Sequence, residues 1–237
     1  MARALATNGA KRVYFLGRRL DVLHEAAKLH PTIFTPIQCD VTSHDSLQSA
    51  VDRITSETGY INLLIANSGI PGPPAGFAPS LTLGEVRANM FTQDNMDSTN
   101  ATFSVNTTGA FFTMVAFLEL LDAGNQHAVQ HGGFGAPLRE GSDVPSIQSQ
   151  VIVVGSIAAY SRMHMSTPAY AGSKAAVVHL TKHASSNLAR YGIRANALAP
   201  GCKLLPTLPA IFVSAGGRVG VADGKEWQCS PRSSPAD

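Results

Sequence analysis

Residues 61–66, INLLIA, form an apolar run broken only by Asn62. A strand with one wet face alternates apolar and polar residues, so a near-continuous run needs cover on both faces. That is the condition of a parallel strand between two layers of helix. A second run, 151–155 (VIVVG), makes the same demand, and helical patterns surround both. Residues 2–8 read as helix stopped by Gly9, and 12–17 (RVYFLG) as a strand. Residues 21–29 read as helix, 32–40 as a strand running into Cys39-Asp40-Val41, and 44–58 as an amphipathic helix closed by Gly59. After a Pro/Gly-rich loop at 71–79 and a weaker helical stretch comes a long helix, 100–121, carrying Asn106. A helix over 168–191 and a strand over 193–199, ending in Pro200-Gly201, complete the series. Strand alternating with helix predicts an α/β chain built on a doubly wound parallel sheet.

Two stretches fall outside this alternation. Residues 122–149, rich in Gly, Gln, His and Ser, read as a surface insertion within a single domain spanning 1–201. Residues 202–237 are atypical and read as a disordered tail, with 204–213 open between strand and short helix. Two glycine clusters, at 132–135 and 216–220, are discarded as phosphate loops because neither follows a strand and opens a helix.

Bulk chemistry narrows the partners. In 237 residues Lys and Arg number 18 against 16 Asp and Glu, so the charge balance offers nothing to nucleic acid or an anionic membrane, and a small-molecule partner is expected. The uncharged stretch 98–118 contains Asn100, Asn106 and Gly109, which suits a buried helix better than a membrane span. The first residues carry no secretory pattern, and Cys39, Cys202 and Cys229 lack metal-ligand spacing. A reducing, cytoplasmic setting without a metal is the expectation.

The chemistry-bearing segment is 150–174. Ser156 stands at the mouth of an apolar strand, and Tyr170-x-x-x-Lys174 shares one face of the helix that follows. A phenol is too weak an acid to trade protons near neutrality unless a nearby cation favours its ionised form, and Lys174 is spaced to supply one. Ser156 can hold an alcohol or carbonyl oxygen beside it. A lone Tyr-x-x-x-Lys reads as a surface pair; the serine fourteen residues earlier, Asn106, Asn67-Ser68-Gly69 and Pro200-Gly201, all in order, argue otherwise.

Through these motifs residues 2–201 resemble the short-chain dehydrogenase/reductase family. The resemblance implies a Rossmann-like fold, a nicotinamide dinucleotide, and hydride exchange with a small alcohol or carbonyl. It assigns the general acid/base role to Tyr170, a ribose-binding and charge role to Lys174, substrate orientation to Ser156, and a water of the proton relay to Asn106. Asn67-Ser68-Gly69, where the family has Asn-Ala-Gly, would lie against the adenosine half of the cofactor. Asp40 and Val41 would meet the adenine, with Asp40 as a helix cap the rival reading. Tyr170, Lys174, Pro200 and Gly201 would also border the cofactor. Arg18 and Arg19 occupy the place where a carboxylate would select a free ribose 2′-hydroxyl, which favours NADP(H) over NAD(H). A homo-oligomer is implied by the resemblance alone.

The family pattern opens with a strand and a Thr-Gly-x-x-x-Gly-x-Gly turn, and this chain begins inside the helix that comes next. The expected sheet therefore lacks its first strand, between 12–17 and 61–66, together with the glycine-rich turn. A catalytically inactive fragment or pseudo-enzyme of the family is the alternative. Sugar-nucleotide epimerases share the Tyr-x-x-x-Lys device, but their greater length argues against them.

Overall fold

In a computed structural model of the chain, the described residues are 1–164 and 166–201. Expectations for 202–237 lie outside them. Among the described residues five parallel strands form two sheets. β1 (Val13–Gly17) pairs with β2 (Phe34–Gln38), and β4 (Gln150–Val154) lies between β3 (Leu63–Ala66) and β5 (Arg194–Leu198). Registers run Leu16↔Ile37, Ile65↔Ile152 and Val153↔Ala197. The Rossmann-like α/β architecture is as expected, but the sheet is split, with β1 and β3 sharing no ladder. Among the described residues each keeps one edge without a strand partner. Accordingly all of β1 and the first three residues of β3 are only half-buried, where the apolar run had implied full cover.

Helices join the strands in alternation: α1 (Ala2–Thr7), α2 (Leu20–Ala27), α3 (His44–Glu57), α4 (Leu83–Met90), α5 (Gln93–Phe103), α6 (Ala110–Ala116), α7 (Leu118–His131) and α8 (Pro168–Leu188). Local chemistry sets their starts. Ser43 accepts from the Ser46 N–H, Thr82 and Glu85 form a reciprocal capping box, and Thr167 caps α8 with Pro168 at its first position. Two apolar clusters meet at Ile61 and Leu64. One gathers Met114, Leu121, Val151, Val153, Val177 and Ile193; the other gathers Ile37, Leu47, Ile54, Phe117 and Leu120.

Two expectations change in detail. The helix expected over 100–121 starts earlier, at Gln93. It passes through a π-helical turn, Ser104–Gly109, and breaks at Phe117. Residues 122–149 do not begin as an insertion: α7 continues to His131 and buries Leu121, Gly124, Asn125 and Ala128. Asn125 ties the start of β4 to the turn before β5, accepting from the Ser149 N–H (2.7 Å) and donating to the Gly192 carbonyl (2.9 Å). Only from Gly132, with φ of 71°, does the chain leave the helix for irregular structure.

No single described helix is long and apolar enough to cross a membrane. The bent pair Gln93–Ala116 and Leu118–His131 passes on combined composition alone. It buries Asn106, Thr102, Thr107 and Thr113 against the rest of the fold, which accounts for the uncharged stretch 98–118.

Candidate active site

The motif residues lie beyond the carboxyl ends of the strands, where open α/β sheets hold their ligands. Arg18 and Arg19 follow β1, Asp40 and Val41 follow β2, and Asn67, Ser68 and Gly69 follow β3. Ser156 follows β4, and Pro200-Gly201 follows β5. The first seven of these residues line one cleft of about 600 Å³, together with Gly17, Val22, Leu23, Cys39, Ile70 and Val105.

Asp40 is not a helix cap; Ser43 fills that position on α3. Its Oδ1 accepts from the Thr42 hydroxyl (2.7 Å) and the Thr42 N–H (2.9 Å). These bonds hold the Asp40 pKa below the usual carboxylate range, with a smaller push from the Arg18 charge. Arg18 and Arg19 are exposed and form no ion pair among the described residues.

The second half of the site forms around Asn106, whose side chain is fully buried in the π turn. Its Oδ1 accepts from the Ile70 N–H (2.8 Å). Its Nδ2 donates to the Ile70 carbonyl (2.9 Å) and to Ser173 Oγ (3.0 Å). Asn106 thus locks the backbone just past Asn67-Ser68-Gly69, and a π turn is a common device where a helix must aim a side chain at a site. Gly69 closes the cluster: a β-carbon there would lie 3.2 Å from Asn106 Oδ1 and 3.4 Å from Lys174 Nζ.

Lys174 is 4% exposed and donates from Nζ to the Val154 carbonyl (2.7 Å), with Nζ 5.8 Å from the centre of the Tyr170 ring. Tyr170 is half-buried four residues earlier on α8. Buried Ser156 accepts from the Ala158 N–H at Oγ (3.1 Å), which leaves its own hydrogen without an acceptor among the described residues. Ile157 N–H donates to the Pro200 carbonyl (3.1 Å), holding Pro200-Gly201 beside the serine. Ser161 is a loop residue whose Oγ accepts from the Met163 N–H.

Sequence reasoning missed Ser173 and Thr107. Ser173 Oγ donates to the Tyr170 carbonyl (2.8 Å) while accepting from Asn106, and Thr107 Oγ1 donates to the Ser173 carbonyl (3.0 Å). A serine inside a helix is an ordinary residue, and only the π turn brings these groups together.

Burial lowers the Lys174 pKa below its ordinary 10.5 by stripping water from the ammonium. Between the lowered value and 10.5 the unfolded chain binds more protons than the fold, so Lys174 makes stability rise with pH across that window. Lys174→Met removes the titrating group. Thermal melts from about pH 7 upward should show the wild type gaining on the variant as pH climbs; parallel curves would contradict the burial of a charged amine.

Comparison with known proteins places this arrangement. The short chain dehydrogenase family model matches residues 1–129 and 144–208, leaving out the stretch that follows α7. The short-chain dehydrogenase/reductase SAT3 of Stachybotrys chartarum is 57% identical over 215 residues, covering 91% of this chain and 78% of its own length. PhomF of Diaporthe leptostromiformis, also a short-chain dehydrogenase/reductase, is 44% identical over 205 residues, 85% of this chain and 64% of its own. Among solved structures, NAD⁺-bound xylitol dehydrogenase superposes with a TM-score of 0.63 at 25% identity, covering 84% of this chain and 64% of the other. Gluconate 5-dehydrogenase from Burkholderia cenocepacia, in complex with NADP and tartrate, gives 0.60 at 25% identity with the same coverage. The chain belongs to the short-chain dehydrogenase/reductase family, oxidoreductases that bind NAD(P) and act on small molecules.

Proposed function

We propose that the chain is an NADP(H)-preferring dehydrogenase or reductase that interconverts a small alcohol and its carbonyl, with Tyr170 as the general acid/base. The observation that carries this is the convergence of Asn106, Gly69 and Lys174 next to a cleft bearing Arg18, Arg19, Asp40 and Val41. The cleft falls within the roughly 300–1,000 Å³ usual for cofactor sites. Its donor set suits a phosphorylated dinucleotide: two guanidinium groups without carboxylate partners among the described residues, for a phosphate, and an ionised Asp40 to accept from an adenine amine.

When bound, that cofactor supplies or takes up the hydride exchanged with the carbinol carbon. In the reducing direction the Tyr170 hydroxyl gives its proton to the substrate oxygen, and in oxidation it takes the proton back. Ser156 donates its free hydrogen to the same oxygen and offsets the charge that develops there. Lys174 spends one of its three N–H donors on Val154 and keeps two for ribose hydroxyls and the relay, while its charge sits beside the phenol. Asn106 holds the turn at Ile70, which would border a bound cofactor.

Replacing both Arg18 and Arg19 with glutamate should weaken NADPH binding about 100-fold, the loss of two charge-assisted contacts of ~1.5 kcal/mol each, and change NADH binding only a few-fold. Fluorescence titration of both nucleotides tests this, and equal affinity of the wild type for NADH and NADPH would refute the preference. A second reading, a chain that keeps the fold without turnover, is favoured by one observation. β1 and β3 are not laddered together, and the described cleft lining holds no glycine-rich turn to bind a pyrophosphate through backbone N–H groups. Failure of the wild type to bind either nucleotide would select that reading.

A further inference from the structure

Around Ser156 and Tyr170 the chain leaves large apolar side chains uncovered. Ile157, Tyr160 and Met163, on the turn and loop directly after Ser156, are 52%, 64% and 61% exposed, and Phe77 on the Pro/Gly loop is 62% exposed. The two segments abut at the start of the helix that carries Tyr170. Thr167 Oγ1 donates to the Pro71 carbonyl (3.3 Å), and a β-carbon on Gly76 would lie 3.8 Å from Pro168 Cδ and 3.9 Å from the His164 carbonyl.

We infer that the substrate is an apolar ring ketone or its alcohol rather than a polyol or sugar; this rests on the oxidoreductase reading above. Residues 70–81 contain no ionisable group, and the ionisable side chains of 155–168 are Tyr160, Arg162 and His164, with no carboxylate to recognise a cationic substrate. Among the hydroxyls here, Thr167 Oγ1 serves both the Tyr170 N–H and Pro71, while Ser161 Oγ accepts from the Met163 N–H and keeps its own hydrogen. A polyol laid on the uncovered Ile157, Tyr160, Met163 and Phe77 side chains would give up more hydrogen bonds to water than these few groups replace. An apolar ring system would instead take Ile157, Tyr160, Met163 and Phe77 out of water while its single oxygen meets Ser156 and Tyr170.

The test uses the full chain with α-tetralone, an apolar bicyclic ketone, and dihydroxyacetone, a polar one. Binding is followed by calorimetry and turnover by NADPH oxidation, in which the carbonyl carbon gains the hydride, its oxygen gains the proton and NADP⁺ is released. The expected result is at least ~10-fold tighter binding and lower KM for α-tetralone, weakened about 5- to 10-fold by Tyr160→Ser and by Met163→Ser. NADPH affinity should not change, and Phe134→Ser, exposed on the segment beyond α7, should leave every value unaltered. A preference for dihydroxyacetone overturns the inference. So does unchanged α-tetralone binding in both serine variants, including the case where they only lower the melting temperature because the face packs within the chain. If α-tetralone binds and the variants weaken it while neither ketone consumes NADPH, the substrate class stands and the oxidoreductase reading falls. If dihydroxyacetone alone is reduced, the reverse holds.

Discussion

Tyr170→Phe is expected to lower kcat by about 10²- to 10⁴-fold, the range that a positioned acid/base contributes, while NADPH affinity and melting temperature stay close to wild type. The separation follows from the site. The Tyr170 hydroxyl has no hydrogen-bond partner among the described residues, so removing it orphans nothing, whereas its backbone is held by the Thr167 cap and the Ser173 hydroxyl whatever the side chain. The ring keeps its position over Lys174, and only the transferable proton is lost. Single-turnover NADPH oxidation with a ketone the wild type reduces measures the effect. A variant within about tenfold of the wild-type rate would mean that another group donates the proton. Ser156→Ala should cost less, because it removes one donor to the substrate oxygen and leaves the Ala158 N–H to find water.

What the sequence carried and what it hid follow from the range of each interaction. The strand ends could be placed because a parallel strand announces itself through its own apolar run, and each functional motif begins within two residues of a strand end: Asn67 directly after Ala66, Ser156 two residues past Val154. The split between β1 and β3 was legible only through the family resemblance, whose pattern places a strand between the two that match β1 and β3. Half-burial of β3 was not, since INLLIA describes a strand's requirement and not whether neighbours meet it. The π turn had no signature in Ser104–Gly109. It is held by Asn106 reaching Ile70 and Ser173, contacts 36 and 67 residues away in sequence. For the same reason Ser173 passed as an ordinary helix residue. The far half of α7 was misread for a different cause. Gly124, Asn125, Gln126 and His127 have loop-like composition, yet Gly124 and Asn125 are buried because two backbones approach closely there.

That close approach carries the largest stability effect expected of a small substitution. In α7 a β-carbon on Gly124 would fall onto the Ile61 carbonyl oxygen and lie 2.8 Å from Ser149 Oγ. The Ile61 N–H is itself bonded to the Leu120 carbonyl (3.0 Å), one turn earlier, so the segment entering β3 cannot retreat without losing that bond. Ser149 cannot yield freely either, since its N–H is held by Asn125 and its buried hydroxyl already lacks a partner. Gly124→Ala should therefore destabilise by about 3 kcal/mol, the upper end of what overpacking costs, even though alanine gains up to ~1 kcal/mol of helix propensity. For a chain of this size that lowers the melting temperature by roughly 6–12 °C. Gly84, inside α4, has nothing within 4 Å of the same added carbon, so Gly84→Ala keeps only the propensity gain and should stabilise by a few tenths to ~1 kcal/mol. Thermal melts of the two variants should move in opposite directions. A Gly124→Ala protein as stable as the wild type would mean that α7 does not lie against Ile61, and the misread half of that helix would have to be placed again.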